Sequence, residues 1–124
     1  MSEDIKMMTQ ELIAEIKHEY QQAAANAAFD LLKSWYDGED EGACGFAWVT
    51  IIPKNKGNTK AGRYERTFYE SLGANKDWTG KAYQIWNPSK TYAQNVFCKE
   101  AGARAAAQVL QKHDIDCYAD SRLD

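Results

Sequence analysis

The sequence has few of the patterns that mark secreted or membrane-spanning proteins. Its 124 residues contain three cysteines, odd in number, widely spaced and without a CxxC pair. This usage is typical of reduced thiols in a cytoplasmic protein and argues against a disulfide framework. No apolar run reaches the ~18 residues that a transmembrane helix needs. The acidic start Met1-Ser2-Glu3-Asp4 lacks the apolar core of a secretory signal. We therefore expect a cytoplasmic protein that does not enter a membrane.

Signatures of catalysis and of nucleotide or metal binding are also missing. The chain has no HExxH, GxSxG or GxGxxG motif, and the basic loop at 54–62 lacks the spacing of a P-loop. The acidic linker 37–42 lacks the residue order of an EF-hand loop. Cys98, at the start of a predicted helix, is the best candidate for a nucleophile, with His18 or His113 as its possible base. We expect no catalysis, no cofactor and no metal.

Charge is distributed unevenly along the chain. The net charge is −3, but residues 53–90 hold eight Lys/Arg against three Asp/Glu, while the rest of the chain holds seven against fifteen. A basic middle between acidic ends indicates either an anion-binding face or a solvated loop region. Trp and Tyr side chains are concentrated in the same stretch. Aromatic side chains interleaved with cations suit single-stranded nucleic acid, and protein interfaces use the same residue types.

Residues 3–36 have the periodicity of one long helix. Apolar side chains recur at three- and four-residue steps, at Ile5, Met8, Leu12, Ile16, Tyr20, Ala23, Ala27 and Leu31. Glu3 and Asp4 favour the start of the helix, and Gly38 favours its end. Such a helix is about 50 Å long, which exceeds the width of a small domain. We expect either a break near 24–26 or a first half that projects and finds a partner.

The rest of the chain, 43–124, predicts a unit of mixed strands and helices that follows the helical segment 1–37. Strands are predicted at 44–52, 82–86, 91–97 and 115–118, and helices at 63–72 and 98–113. Asn87-Pro88 between the middle two strands indicates a hairpin turn. The order β-α-β-β-α-β is that of a ferredoxin-like sandwich with a four-stranded antiparallel sheet. We therefore assign the protein to the α+β class, as one structural unit with a long N-terminal helix.

One segment resembles the RNP1 octamer of RRM domains, K/R-G-F/Y-G/A-F/Y-V-x-F/Y. It reads Cys44-Gly45-Phe46-Ala47-Trp48-Val49-Thr50-Ile51. The resemblance implies a strand whose aromatic side chains stack on bases of single-stranded RNA. Cys44 replaces the basic first residue of the motif, and the segment falls on the first strand rather than the third.

Phe46 and Trp48 share one face of this predicted strand, because side chains alternate along it. Tyr92 lies on the neighbouring predicted strand. If the N-terminal helix packs elsewhere, this face is open to a ligand. If the helix covers the face, both aromatic residues belong to the core. We expect the helix to cover them, because its apolar stripe needs a surface to pack on.

A wider resemblance covers about residues 44–124. Four segments are similar to small proteins of tailed phages, namely Gly45–Val49, Ile85–Ser89, Lys99–Ala103 and Tyr118–Asp124. That group implies no established activity, so it assigns no role to any residue here. It implies the cytosol of the host as the compartment.

Together these features predict a non-catalytic binding protein. The leading hypothesis is a protein-interaction module that self-associates into a homo-oligomer through the N-terminal helix. The alternative is single-stranded nucleic-acid binding by the basic loop and the aromatic strand residues. The candidate ligand-binding residues are Lys54, Lys56, Lys60, Arg63, Arg66, Trp48, Trp78, Trp86 and Tyr92. Exposure of Phe46 and Trp48 would favour the nucleic-acid hypothesis. Their burial would mean that any binding function lies in the basic loop, the Trp78 loop or the first helix.

Overall fold

A computed structural model describes the backbone of residues 3–124 and the side chains of residues 10–124. Within this range the helices are α1 (Glu3–Tyr36), α2 (Lys60–Ser71) and α3 (Val96–Lys112). The strands are β1 (Gly45–Ile51), β2 (Asn75–Lys76), β3 (Tyr83–Trp86) and β4 (Cys117–Leu123). The α+β class, the long first helix and the four-stranded antiparallel sheet are confirmed. The roles predicted for the side chains of Glu3, Asp4, Ile5 and Met8 lie outside the described side chains.

The sheet has the strand order β2-β3-β1-β4. β1 pairs with β4 along its full length, from Gly45 opposite Leu123 to Ile51 opposite Cys117. β4 is therefore longer than the strand predicted at 115–118, because residues 119–123 also pair with β1. Their polar sequence gives little strand signal, and pairing with β1 is what holds them extended.

The strand predicted at 91–97 does not form, and the hairpin that we expected is wrong. β3 pairs instead with the two-residue strand β2 that precedes it. The elements after α1 still follow the order β-α-β-β-α-β, with a different pair of middle strands. The ferredoxin-like topology stays a prediction.

The backbone at 94–95 is held by a side chain from the acidic linker. The carboxylate of Asp40 accepts hydrogen bonds from the N–H groups of Gln94 and Asn95, at 2.9 and 3.1 Å. The Asn95 side chain then accepts from the N–H of Cys98 and caps α3. An isolated bridge joins Asn95 to Cys44, just before β1. The helix therefore begins inside the segment that was predicted to be a strand.

α3 packs on one face of the sheet, and α1 packs on α3. That face presents Ala47, Val49 and Ile51 of β1, which share one core cluster with residues of α1, α2 and α3. From α1 the cluster includes Tyr20, whose hydroxyl donates to the carbonyl of Leu72 at 2.6 Å. The opposite face carries Phe46 and Trp48. The expectation that α1 would cover these two residues is therefore wrong.

The reason is that α1 packs against α3 rather than across the sheet. Ala24 and Ala28 are buried, and a Cβ added at Gly102 of α3 would lie 3.1 Å from the carbonyl oxygen of Ala24. Small residues on both helices permit this close approach. The alanine run of α1 thus finds its partner in a helix, and the second face of the sheet stays open.

α1 is continuous, so the break predicted near 24–26 is absent. Its buried stripe is Ile16, Tyr20, Ala24 and Ala28, at four-residue spacing, with the predicted Ala23 and Ala27 half-buried beside it. The same stripe continues to Leu12, which is exposed. Gly38 follows the helix as predicted, and its N–H donates to the carbonyl of Leu32 at 3.0 Å.

Candidate functional site

An aromatic cluster lies on the face of the sheet opposite to the helices. Trp86 of β3 is directly opposite Trp48 of β1, and their ring systems stack with centroids 4.6 Å apart and an interplanar angle of 27°. Phe46 meets Trp86 edge-on, with centroids 6.4 Å apart. Phe46 is 37% exposed and Trp86 is 48% exposed. We call Phe46, Trp48 and Trp86 the aromatic platform.

Neighbouring side chains fix the platform in place. The indole N–H of Trp86 donates to the side-chain oxygen of Gln84 at 3.0 Å. The polar edge of this ring is thereby satisfied within the sheet, and part of its apolar surface faces solvent. Tyr118 of β4, opposite Thr50, adds a half-exposed aromatic ring to the same face. The side chains of this face stand on paired strands.

Two cations flank the Phe46 end of the platform. Arg122 is opposite Phe46 in the β1–β4 register, and its guanidinium carbon lies 5.4 Å from the centroid of the ring. The ammonium of Lys99, from the first turn of α3, lies 5.5 Å from the same centroid. It also donates to the carbonyl of Gly45 at 2.9 Å. Both distances are within the range of cation–π attraction.

Acidic residues of β4 and just after it lie near the cations. Asp120 is opposite Trp48 in the register and is exposed. Its carboxylate accepts from the N–H of Ser121 at 2.8 Å. Asp124 is also exposed, two residues after Arg122, and its N–H donates to the carbonyl of Cys44 at 3.0 Å. Asp120 and Asp124 therefore partly offset the charge of the two cations.

The basic residues predicted to bind a ligand lie on the loop and helix that follow the other end of β1. Lys54 contacts the carboxylate of Asp114 at 3.3 Å. Arg63 donates to the carbonyl of Asn58, and Arg66 donates to the carbonyls of Asn55 and Gly62. Three of the five cations thus brace the loop against its surroundings. The other two predicted cations are Lys56, which lies on the same loop, and Lys60, which is the first residue of α2.

Glu65 organises this loop. Its carboxylate accepts from the N–H groups of Lys54 and Asn55, at 2.8 and 2.9 Å, and from the hydroxyl of Tyr69. Partial burial alone would raise the pKa of Glu65, but these hydrogen bonds together lower it. Burial and the nearby Glu65 carboxylate raise the pKa of Tyr69. The basic loop therefore has a structural anchor of its own.

The two remaining predicted residues are almost fully exposed and lie on loops. Trp78 is 95% exposed, between β2 and β3, and Tyr92 is 98% exposed, in the segment 87–95 that follows Trp86. Tyr92 is not on a strand, because the strand predicted there does not form. Among the described side chains, Trp48 and Trp86 are the predicted aromatic residues that stack on each other.

Sequence reasoning left three residues out of the candidate set. Phe46 could have been included, because strand alternation places it beside Trp48. Lys99 and Arg122 had no local signal, since they reach the platform from α3 and β4. Only the register of β4 and the packing of α3 bring them to Phe46.

No protein-family model, curated protein or solved structure matches this chain. The resemblances to the RNP1 octamer and to tailed-phage proteins therefore stay predictions. What the octamer segment does have is the position of a central strand with its aromatic side chains on the open face. The function is therefore inferred from the geometry of the open face.

Cys98 and Cys117 are both buried, whereas Cys44 is exposed. Cys98 is buried, and burial, reinforced by the charge of Asp40, raises the pKa of its thiol, which disfavours the thiolate that a nucleophile needs. Burial also raises the pKa of Cys117 to about 11. Within residues 10–124, no three His, Cys, Asp or Glu side chains are grouped to hold a metal ion. No described helix is long and apolar enough to cross a membrane.

Proposed function

We propose that the protein binds single-stranded nucleic acid through the open face of its sheet. The observation that carries the proposal is the aromatic platform, in which Trp86 contacts both Trp48 and Phe46 on a face that no described helix covers. Stacking of a base on an aromatic side chain is worth about 1–3 kcal/mol, and it tolerates any base because every base has a π-face. In a duplex the bases stack on each other, so the platform suits a single strand.

The surroundings of the platform support the same ligand. Arg122 and Lys99 supply positive charge at Phe46. Such cations are what the backbone of a nucleic acid requires. We retain the ferredoxin-like arrangement within this proposal, because such a sandwich leaves one sheet face for a ligand.

Tryptophan fluorescence tests the proposal directly. The double variant Trp35→Phe/Trp78→Phe removes the two tryptophans outside the platform, so that emission comes from Trp48 and Trp86. We expect a ten-nucleotide oligo(dT) or oligo(U) to quench this emission at low salt, and the apparent affinity to fall steeply as salt increases. A duplex of the same length should quench much less. Unchanged emission at low salt would exclude the proposed function.

A second candidate function, self-association through α1, is supported by one separate observation. The apolar stripe of α1 runs past the core at both ends, to Leu12 and Trp35, which are 47% and 69% exposed. The partner would be a second copy of the chain, which would pack the same exposed parts of its own α1 against them. Light scattering of the full chain should give a dimer mass, reduced to that of a monomer by Leu12→Glu. A monomer mass for the wild type would exclude this candidate.

A further inference from the structure

We infer that Lys99 and Arg122 form a phosphate-binding site at the Phe46 end of the platform. This site deepens the proposed function, because it specifies where the backbone of the bound strand is held. A base on the platform carries its phosphate one sugar away from the rings. The two cations lie at the rim of the platform, where such a phosphate would be found.

Lys99 is a buried cation, and among the described residues its ammonium has one hydrogen-bond acceptor. Its side chain belongs to a residue that is 8% exposed, and its ammonium, which has three donors, has the carbonyl of Gly45 as acceptor. Among the described side chains, no carboxylate lies within 4.0 Å of its nitrogen. Buried charges in proteins are normally paired. An anionic ligand would supply the missing partner.

Arg122 is the second cation of the proposed site. It comes from a different element, β4, and converges on the same ring as Lys99. Within the described residues it forms no ion pair, in contrast to Arg104, which contacts Glu100 at 3.8 Å. A guanidinium can bind two phosphate oxygens at once, and a lysine ammonium binds as a point charge. Two different cations on one ring therefore offer complementary donors to a phosphate.

Asp120 disfavours a phosphate at the middle of the platform. Asp120 lies opposite Trp48, in the middle of the platform. A phosphate near Trp48 would be repelled by this carboxylate, whereas a phosphate at Phe46 would meet Arg122 and Lys99. The strand should therefore lie with its bases over Trp48 and Trp86 and with a phosphate at the Phe46 end.

The test combines an oligonucleotide titration with a probe that has no base. Arg122→Gln should weaken binding of oligo(dT) about fivefold to tenfold, equally for oligo(dA), and should reduce the slope of log affinity against log salt by about one. Arg104→Gln removes the same charge from an exposed position on α3 and should change neither quantity. Lys99→Met, which keeps the apolar stem, should act like Arg122→Gln. If that variant fails to fold, Arg122→Gln decides alone.

Inorganic pyrophosphate is the second probe, followed by amide chemical shifts of the full chain. We expect shifts at Gly45, Phe46 and Arg122 in the wild type and in Arg104→Gln, and none in Arg122→Gln. If pyrophosphate gives these shifts but oligonucleotides do not bind, the phosphate site stands and the proposed function falls. If oligonucleotides bind, Arg122→Gln keeps the full salt slope and pyrophosphate gives no shifts, the phosphate site is overturned and the proposed function stands. If neither probe binds, both are overturned.

Discussion

Trp48 and Trp86 stack across the β1–β3 pair with their ring centroids 4.6 Å apart, on the face of the sheet away from the described helices. Cross-strand aromatic pairs stabilise a sheet by about 0.5–1.5 kcal/mol beyond the area that they bury. The pair thus contributes to the fold while leaving part of Trp86 exposed. A ligand that stacks there meets rings that are already ordered, so little side-chain entropy is lost on binding.

Replacing Trp86 by Ala tests whether binding needs the platform or merely an exposed tryptophan. We expect the affinity for a labelled oligo(dT), measured by fluorescence anisotropy, to fall about tenfold or more, because one stacking surface is lost. Trp78→Ala is the matched control, since Trp78 is more exposed but lies on a loop outside the platform. Equal losses for the two variants would show that the platform has no special part in binding.

Asp120 offers a test of whether an anionic strand lies over the open face. Asp120→Asn removes the acid from the open face and should strengthen oligonucleotide binding about twofold to fivefold, most clearly at low salt. Asp30→Asn removes the same charge from an exposed position on α1 and serves as the control. Unchanged or weaker oligonucleotide binding by Asp120→Asn would show that Asp120 does not repel the bound strand, against the proposed path of the strand over the platform.

Gly102 is expected to be intolerant of even a methyl group. Alanine is favoured over glycine inside a helix by about 1 kcal/mol, but a Cβ here would lie 2.9 Å from the Cβ of Ser89 and 3.1 Å from the carbonyl oxygen of Ala24. Overpacking typically costs about 1–3 kcal/mol, so Gly102→Ala should lower the free energy of unfolding. Gln108→Ala, on the exposed side of α3, should change it by no more than about 0.5 kcal/mol. A more stable Gly102→Ala variant would contradict the close α1–α3 contact.

Glu65 should make stability depend on acid pH. Because its pKa is lowered in the folded state, its stabilising effect is fully present above the usual value of about 4.3 and is lost as the pH falls through the folded-state pKa. Urea unfolding at pH 7 should show Glu65→Gln to be less stable than the wild type by about 1 kcal/mol, after allowance for solvent screening. The difference should shrink towards pH 3. A difference that is independent of pH would show that the carboxylate charge is not what anchors the loop.

Local patterns in the sequence predicted some elements well. The helix predicted at 3–36 has those bounds in the structure, and the strand predicted at 44–52 is β1, Gly45–Ile51. Helical periodicity and a continuous apolar strand are both properties of neighbouring residues, so they can be recognised without tertiary contacts. The stretch 91–97 was misassigned because Asp40, more than fifty residues away, holds its backbone and Asn95 starts a helix there.

The candidate site was predicted in part for the same reason. Trp48 and Trp86 were both in the predicted set, and strand pairing brings them together. The basic loop has the composition of an anion site, but Arg63 and Arg66 are engaged with backbone carbonyls. Lys99 and Arg122 reach Phe46 through tertiary packing alone, and no spacing in the sequence reveals this.

The pairing of β1 with β4 also has a kinetic consequence. Phe46 is held opposite Arg122, so the proposed binding face is completed by a contact between residues far apart in the chain. Sheets built from such distant pairings form slowly, because the intervening chain must be ordered first. An isolated peptide covering the octamer would have the aromatic side chains but neither their cross-strand partners nor the two cations. Such a peptide should therefore not bind oligonucleotides as the full chain is proposed to do.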